Sequence, residues 1–214
     1  MSWSSKPGGE GPRGYHHGNL KEALVRAALE LIAQKGPGGF TFAEAARVAG
    51  VSPAAPYRHF RDRDELMADV ARRGFEAFEE ALLRAWDNGR PDPVTALDRL
   101  GKAYLTFARM QSAYYAAMFE ASVPLDASPE MRAAGDRAFG VLRTAAEAIA
   151  ATLPVASRPP ALMMALHIWS LAHGIAALFA RGDGARRSLP MSPEDLLEAG
   201  VLVYLQGLGA RTQD

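Results

Sequence analysis

The stretch that most limits the fold is Gly50 to Phe60, read as Gly-Val-Ser-Pro-Ala-Ala-Pro-Tyr-Arg-His-Phe. Gly50 follows an apolar helical run (Phe42, Ala45, Ala46, Val48, Ala49), where a glycine can close a helix in the left-handed conformation. Ser52 is then placed to cap a new helix, with Pro53 at its first position, where the missing N–H costs nothing. Two short helices joined this tightly make the geometry by which a second helix stands out to enter a DNA groove. The side chains agree with that use. From Ser52 to His59 there is no acidic residue. Ser52, Ala54 and Ala55 are small enough for close approach to bases, and Tyr57, Arg58 and His59 can donate to phosphate oxygens. Pro56 removes a further N–H and puts the helix geometry at that point in question.

The run from Thr41 to Leu66 carries Ala-Gly-Val-Ser, then Tyr-Arg-His-Phe, then a basic residue and a capped helix, and in this it resembles the TetR family of transcriptional regulators. The resemblance covers about the first third of the chain. It implies an all-α fold, with an N-terminal three-helix helix-turn-helix domain followed by a helical ligand-binding and dimerisation domain. It also implies DNA contacts by Thr41, Ser52, Pro53, Ala54, Ala55, Tyr57, Arg58, His59, Arg61 and Arg63.

Charge is distributed as such a reading requires. Lysine plus arginine balances aspartate plus glutamate at 24 each over 214 residues. Residues 13 to 63, however, hold eight basic and four acidic side chains, a net of +4, so the rest of the chain carries the opposite excess. There is no cysteine, which excludes disulfides and thiolate metal sites and fits a reducing, cytoplasmic setting. Residues 1–14 are rich in Gly, Ser and Pro without an apolar core, so they read as a disordered arm rather than a signal peptide. Domain limits follow at 15–62 for the DNA-binding head and 63–214 for the body.

Capping chemistry marks the helix starts. Asn19 with Glu22, Thr41 with Glu44, and Asp62 with Glu65 have capping-box spacing. The first helix runs from Leu20 to Gln34 and ends in Gly36-Pro37-Gly38-Gly39, a loop with no Gly-Lys-Ser/Thr to make it a phosphate cradle. Tyr15-His16-His17-Gly18 resembles an entry segment of the same family, and two adjacent histidines alone do not make a metal site. A long helix from Arg63 to Asn88 would span about 39 Å and could couple head to body. Helical segments follow over Pro93 to Gln111, Ser112 to Glu120, Pro129 to Leu153, Pro159 to Arg181 and Pro193 to Gly209. Nothing alternates with a period of two, so no sheet is expected.

Two constellations in the body carry functional meaning. Leu100, Tyr104, Phe107, Met110, Tyr114, Tyr115, Met118 and Phe119 form an aromatic and methionine stripe that serves equally as core or as the wall of a cavity. The tyrosine hydroxyls favour a cavity, because each buried hydroxyl needs a partner. With Trp169 and His173, these residues (Tyr104, Phe107, Met110, Tyr114, Tyr115, Met118) are the candidate site for a small apolar effector. The second constellation is Ala161 to Ala180, twenty residues without formal charge. Its length alone would permit a membrane span. Its two histidines and serine, and the absence of a second span, favour instead a helix covered on one side by its own domain and on the other by a second subunit. Its Trp169…His173-Gly174 pattern resembles the TetR subgroup named for a Trp-His-Gly motif. The expected dimer surface is His167, Leu171, Ile175 and Leu178 with Leu197, Val201, Tyr204 and Leu208 of the last helix, forming a four-helix bundle.

The function expected is a DNA-binding repressor that works as a homodimer on a palindromic operator and is released by a small apolar effector. The expected partners are double-stranded DNA, a second copy and that effector; no cofactor, metal or membrane is expected. An enzyme using His167 or His173 as base is the competing class, but the chain shows no nucleophile elbow, no metal-ligand spacing and no neighbouring carboxylate to orient either ring. A protein-binding scaffold is the other alternative, and it leaves the acid-free run from Ser52 to His59 unexplained.

Overall fold

The structure, a computed structural model, describes residues 20–180 and 190–209. The arm, the Tyr15–Gly18 segment, the Asn19 cap and Arg181 lie outside the described residues. Within them the chain is helical: α1 (Leu20–Lys35), α2 (Phe42–Val48), a 3₁₀ turn (Ala55–Arg58), α3 (Arg63–Trp86), α4 (Pro93–Met110), α5 (Ser112–Phe119), α6 (Pro129–Thr152), α7 (Ala161–Ala180) and α8 (Pro193–Gly207).

Most boundaries follow from capping. Thr41 and Glu44 make the reciprocal box at α2, and Lys35, with the Thr41 N–H behind it, holds the Glu44 carboxyl down to about 2. Gly50, at φ 73°, ends α2 as expected. Its N–H returns to the Arg47 carbonyl and that of Val51 to Ala46, the paired closing bonds of a Schellman motif. At α3 only half of the expected box forms. Asp62 caps the Glu65 N–H at 2.9 Å, but the Glu65 carboxylate turns to the Arg61 N–H at 2.6 Å. Asp87 and Asn88 adopt left-handed conformations where α3 stops, and Asp92, Ser128 and Ser192 cap the proline-led starts of α4, α6 and α8.

The second helix of the expected helix-turn-helix departs from the sequence reading. Instead of an α-helix capped by Ser52, the segment makes one 3₁₀ turn from Ala55, with no side-chain cap. Proline explains it. Pro56 cannot donate to the Ser52 carbonyl, so the Ala55 N–H takes that acceptor at 3.0 Å in the tighter i→i+3 pattern. The Pro56 ring is fully buried, pinning the turn to the head.

α3 is the spine. Leu66, Met67, Val70, Phe75, Phe78, Leu82 and Trp86 form its buried face, and it packs against α1, α4, α5 and α6. The head joins it through Phe40, Ala45 and Phe60, in the same continuous core as the body. A half-buried ion network binds α1 to α3: Arg73 meets Glu22 at 2.6 Å and Asp69 at 3.0 Å, and Asp69 also takes Arg72 and Lys21. The Glu22 hydrogen bonds hold the Arg73 guanidinium above its ordinary value. Ala161–Phe179 is long and apolar enough to cross a membrane by length and composition, and it packs against α4, α6 and α8 of its own chain.

Candidate nucleic-acid interface and effector cavity

The acid-free run from Ser52 to His59 lies mostly at the surface of the head. Ser52, Pro53 and Ala54 are exposed, Ala55 is half-buried, and Tyr57, Arg58 and His59 stand out from the 3₁₀ turn. Tyr57 is 63% exposed, yet its ring meets Phe42 edge-on at 5.1 Å. An aromatic side chain braced at its base and open at its hydroxyl needs little ordering to meet a partner. Thr41 lies exposed at the start of α2, its hydroxyl engaged in the cap. Among the described residues no carboxylate pairs with Arg58, whereas Arg61 is paired to Glu65 at 3.1 Å with most of its side chain in solvent.

Arg63 does not have the free charge that the sequence reading gave it. Its guanidinium bonds to the Phe40 carbonyl at 2.9 Å and to the Pro37 carbonyl, and stacks 4.7 Å from the Phe40 ring centre. It therefore clamps the first turn of α3 to the α1–α2 loop. Arg63→Ala is expected to lower stability by about 1–3 kcal/mol, the scale of losing charged hydrogen bonds to the backbone. Arg63→Lys should recover only part, because an ammonium cannot reproduce the planar fork. Denaturant unfolding of the two variants checks this; an unchanged Arg63→Ala midpoint would exclude the clamp.

Below the head lies a cavity of about 500 Å³ bounded by α3, α4, α5, α6 and α7. Of the residues expected there, Tyr104, Met118 and Trp169 line it. Phe107 is buried against Phe78 in the core, at 4.9 Å between ring centres, and does not line the cavity. Met110 is 70% exposed at the end of α4, off the stripe made by Leu97, Leu100, Tyr104 and Phe107. Tyr114 turns toward α3, next to Met118 and above Gly74, where an added Cβ would come within 3.2 Å of the Tyr114 ring.

Tyr115 and His173 form a polar knot behind the wall. The Tyr104 and Tyr115 hydroxyls lie 2.9 and 3.0 Å from the His173 Nδ1, and the Tyr115 ring stacks on the imidazole. Burial pushes both tyrosines above their ordinary range and His173 below its own, so at neutral pH the hydroxyls keep their protons and the imidazole is uncharged. The hydroxyls thus find their partner inside the protein rather than in a ligand. The sequence reading missed the cavity's other walls, including Phe75, Phe78, Leu82, Phe139 and Leu142. Phe75, Phe78 and Leu82 stand at helical spacing on the buried face of α3.

The comparisons with known proteins bear on both halves. Residues 24–70 match the family described as "Bacterial regulatory proteins, tetR family", and residues 97–204, half of the chain, match "Tetracyclin repressor-like, C-terminal domain". The chain belongs to the TetR family. It is similar to a Rhodococcus sp. RHA1 protein of unknown function, with 30% identity, TM-score 0.76, and 92% of this chain and 100% of that one covered. The TetR-family regulator PfmR of Thermus thermophilus shares the fold at 19% identity and TM-score 0.65, over 86% and 97% of the two chains. The fatty acid degradation regulator FadR of Bacillus halodurans does so at 14% identity and TM-score 0.67, over 92% and 100%. No curated protein sequence matches the chain. TetR-family proteins are soluble DNA-binding transcriptional regulators rather than enzymes, and act as dimers that respond to small molecules.

The exposed apolar face of α7 and α8 holds only some of the residues expected at a dimer surface. Ile175 and Leu197 are buried within their own subunit, and Leu197 packs against Gly101 of α4. Val201, Tyr204 and Leu208 are half-buried against the same core, and Tyr204 bonds to the exposed His167 at 3.1 Å. Leu171 and Leu178 remain exposed, in company with Met163, Leu166 and Val203, the last 69% exposed. A helix apolar all round gives no sequence signal as to which face turns inward.

Proposed function

We propose that this TetR-family protein is a homodimeric repressor whose two heads, residues 15–62 of each subunit, read a palindromic operator, and whose bodies, residues 63–214, bind a small apolar effector that releases the DNA. In this reading Tyr57 and His59 meet phosphates, Ser52, Pro53, Ala54 and Ala55 lie against bases or sugars, and Arg58 and Arg61 supply charge. Thr41 sits beside the backbone. The dimer forms through the outward face of α7 and α8, chiefly Met163, Leu166, Leu171, Leu178 and Val203 with His167. The Trp169…His173-Gly174 pattern supports placing the body in the Trp-His-Gly subgroup.

One observation carries the reading: α3 is clamped to the head by Arg63 and lines the cavity through Phe75, Phe78 and Leu82. Heads of a dimer must sit about 34–36 Å apart, or a multiple, to enter successive major grooves, so a small shift of α3 suffices to misplace them. The test is retardation and footprinting of the DNA flanking the protein's own gene. A salt-sensitive complex with a two-fold symmetric footprint, and lower transcription from that promoter, are expected. An asymmetric footprint would remove the palindrome, and higher transcription would remove the repressor role.

A further inference from the structure

The cavity has one polar feature that its ligand must answer. Among the described residues, Asp136 of α6 is the only charged side chain in its wall, and no lysine, arginine or histidine joins it there. Asp136 is exposed, so it stands at the edge of the cavity, and among the described residues it has no ion-pair partner. The neighbouring Arg137 is committed to Glu79 at 2.9 Å, and Arg132, one turn earlier on α6, lies outside the wall. Tyr104 also lines the cavity, and its hydroxyl lies 2.9 Å from the His173 Nδ1. Apart from Asp136 the lining is largely apolar, with the aromatic rings of Phe75, Phe78, Phe119, Phe139 and Trp169 beside aliphatic side chains.

We infer that the cavity takes a lipophilic amine or similar hydrophobic monocation, its body among the aromatic rings and its positive end at the Asp136 carboxylate. This rests on reading the cavity as the effector site. The volume, about 500 Å³, suits one small organic molecule. A carboxylate ligand would find no donor of positive charge and would meet Asp136 as a like charge. A cation meets a carboxylate, which is favourable, and at the solvent edge it keeps part of its hydration, so its desolvation cost stays small.

A set of probes with one tail and three head groups tests it: decylamine, decan-1-ol and decanoate, titrated calorimetrically into the full-length protein at pH 7. The amine is expected to bind about fivefold tighter than the alcohol, and the alcohol about fivefold tighter than the acid, the scale of a partly exposed charge pair. Asp136→Asn should erase the gap between amine and alcohol while leaving the alcohol's affinity unchanged. Ala138→Trp, which fills the cavity from α6, should abolish binding of all three. Equal or tighter binding of decanoate, or an amine preference that survives Asp136→Asn, overturns the inference about charge while leaving the site in place. Undiminished binding to a folded Ala138→Trp protein overturns the site itself, and failure of every probe to bind overturns the inference.

Discussion

Replacing Phe78 by alanine is expected to cost about 3–5 kcal/mol of stability, the range for removing a buried aromatic ring from a packed core. Phe78 is 5% exposed at the middle of α3, with the Tyr104 ring edge-on at 5.0 Å and the Phe107 ring at 4.9 Å. Such ring pairs add about 0.5–1.5 kcal/mol beyond area burial. Phe78 also lines the cavity, so the space left by its truncation joins an existing hollow that the surrounding helices cannot collapse into. The loss should therefore fall toward the upper end of the range, and Phe78→Leu should recover more than half of it. Denaturant unfolding monitored by circular dichroism measures both. A loss below about 1 kcal/mol would mean that the aromatic cluster is loosely packed and α3 is not held at this point.

The second large effect is expected at His173. His173→Leu removes the ring nitrogen that lies 2.9 and 3.0 Å from the Tyr104 and Tyr115 hydroxyls and can accept from one of them at a time, and the expected cost is about 2–4 kcal/mol from a lost buried hydrogen bond and lost ring contact. A double-mutant cycle separates the two causes. In a Tyr104→Phe, Tyr115→Phe background there are no hydroxyls to orphan, so His173→Leu should cost less by about 1–2 kcal/mol. Strict additivity would show that the imidazole only fills space. The knot joins α4, α5 and α7 behind the cavity wall, and α5 packs on both α1 and α3, so the same variant is expected to loosen the connection between cavity and head.

Much of this architecture is legible in the sequence because short-range chemistry dictates it. The Thr41 box and Gly50 are in the structure as read, and Asp92, Ser128 and Ser192 likewise fix helix ends with residues a few positions apart. What escaped was set by long-range geometry or by competition between acceptors. Arg63 reads as a surface cation at a helix start, and only the fold brings the Phe40 and Pro37 carbonyls within its reach. The Arg73–Glu22 pair joins residues 51 positions apart, although Asp69 and Arg73 at helical spacing were visible. His173 could be seen as a polar residue on an apolar helix, but not that two tyrosines from α4 and α5 converge on one of its nitrogens. The 3₁₀ turn was half visible, since Pro56 was a recognisable obstacle to an α-helix there while the burial of its ring was not.

The reading of the head stands or falls on Tyr57. The most direct measurement is the affinity of a labelled duplex from the flanking DNA for the wild-type protein and for Tyr57→Ala across a series of salt concentrations, with the fold of the variant checked by circular dichroism. The wild-type affinity should fall linearly on a log–log plot as salt rises. Tyr57 is exposed, so Tyr57→Ala should keep the fold and weaken operator binding by about 1–3 kcal/mol at every salt concentration. A folded Tyr57→Ala protein that binds the operator as the wild type does, or a wild-type affinity indifferent to salt, would contradict the assignment of this face to DNA.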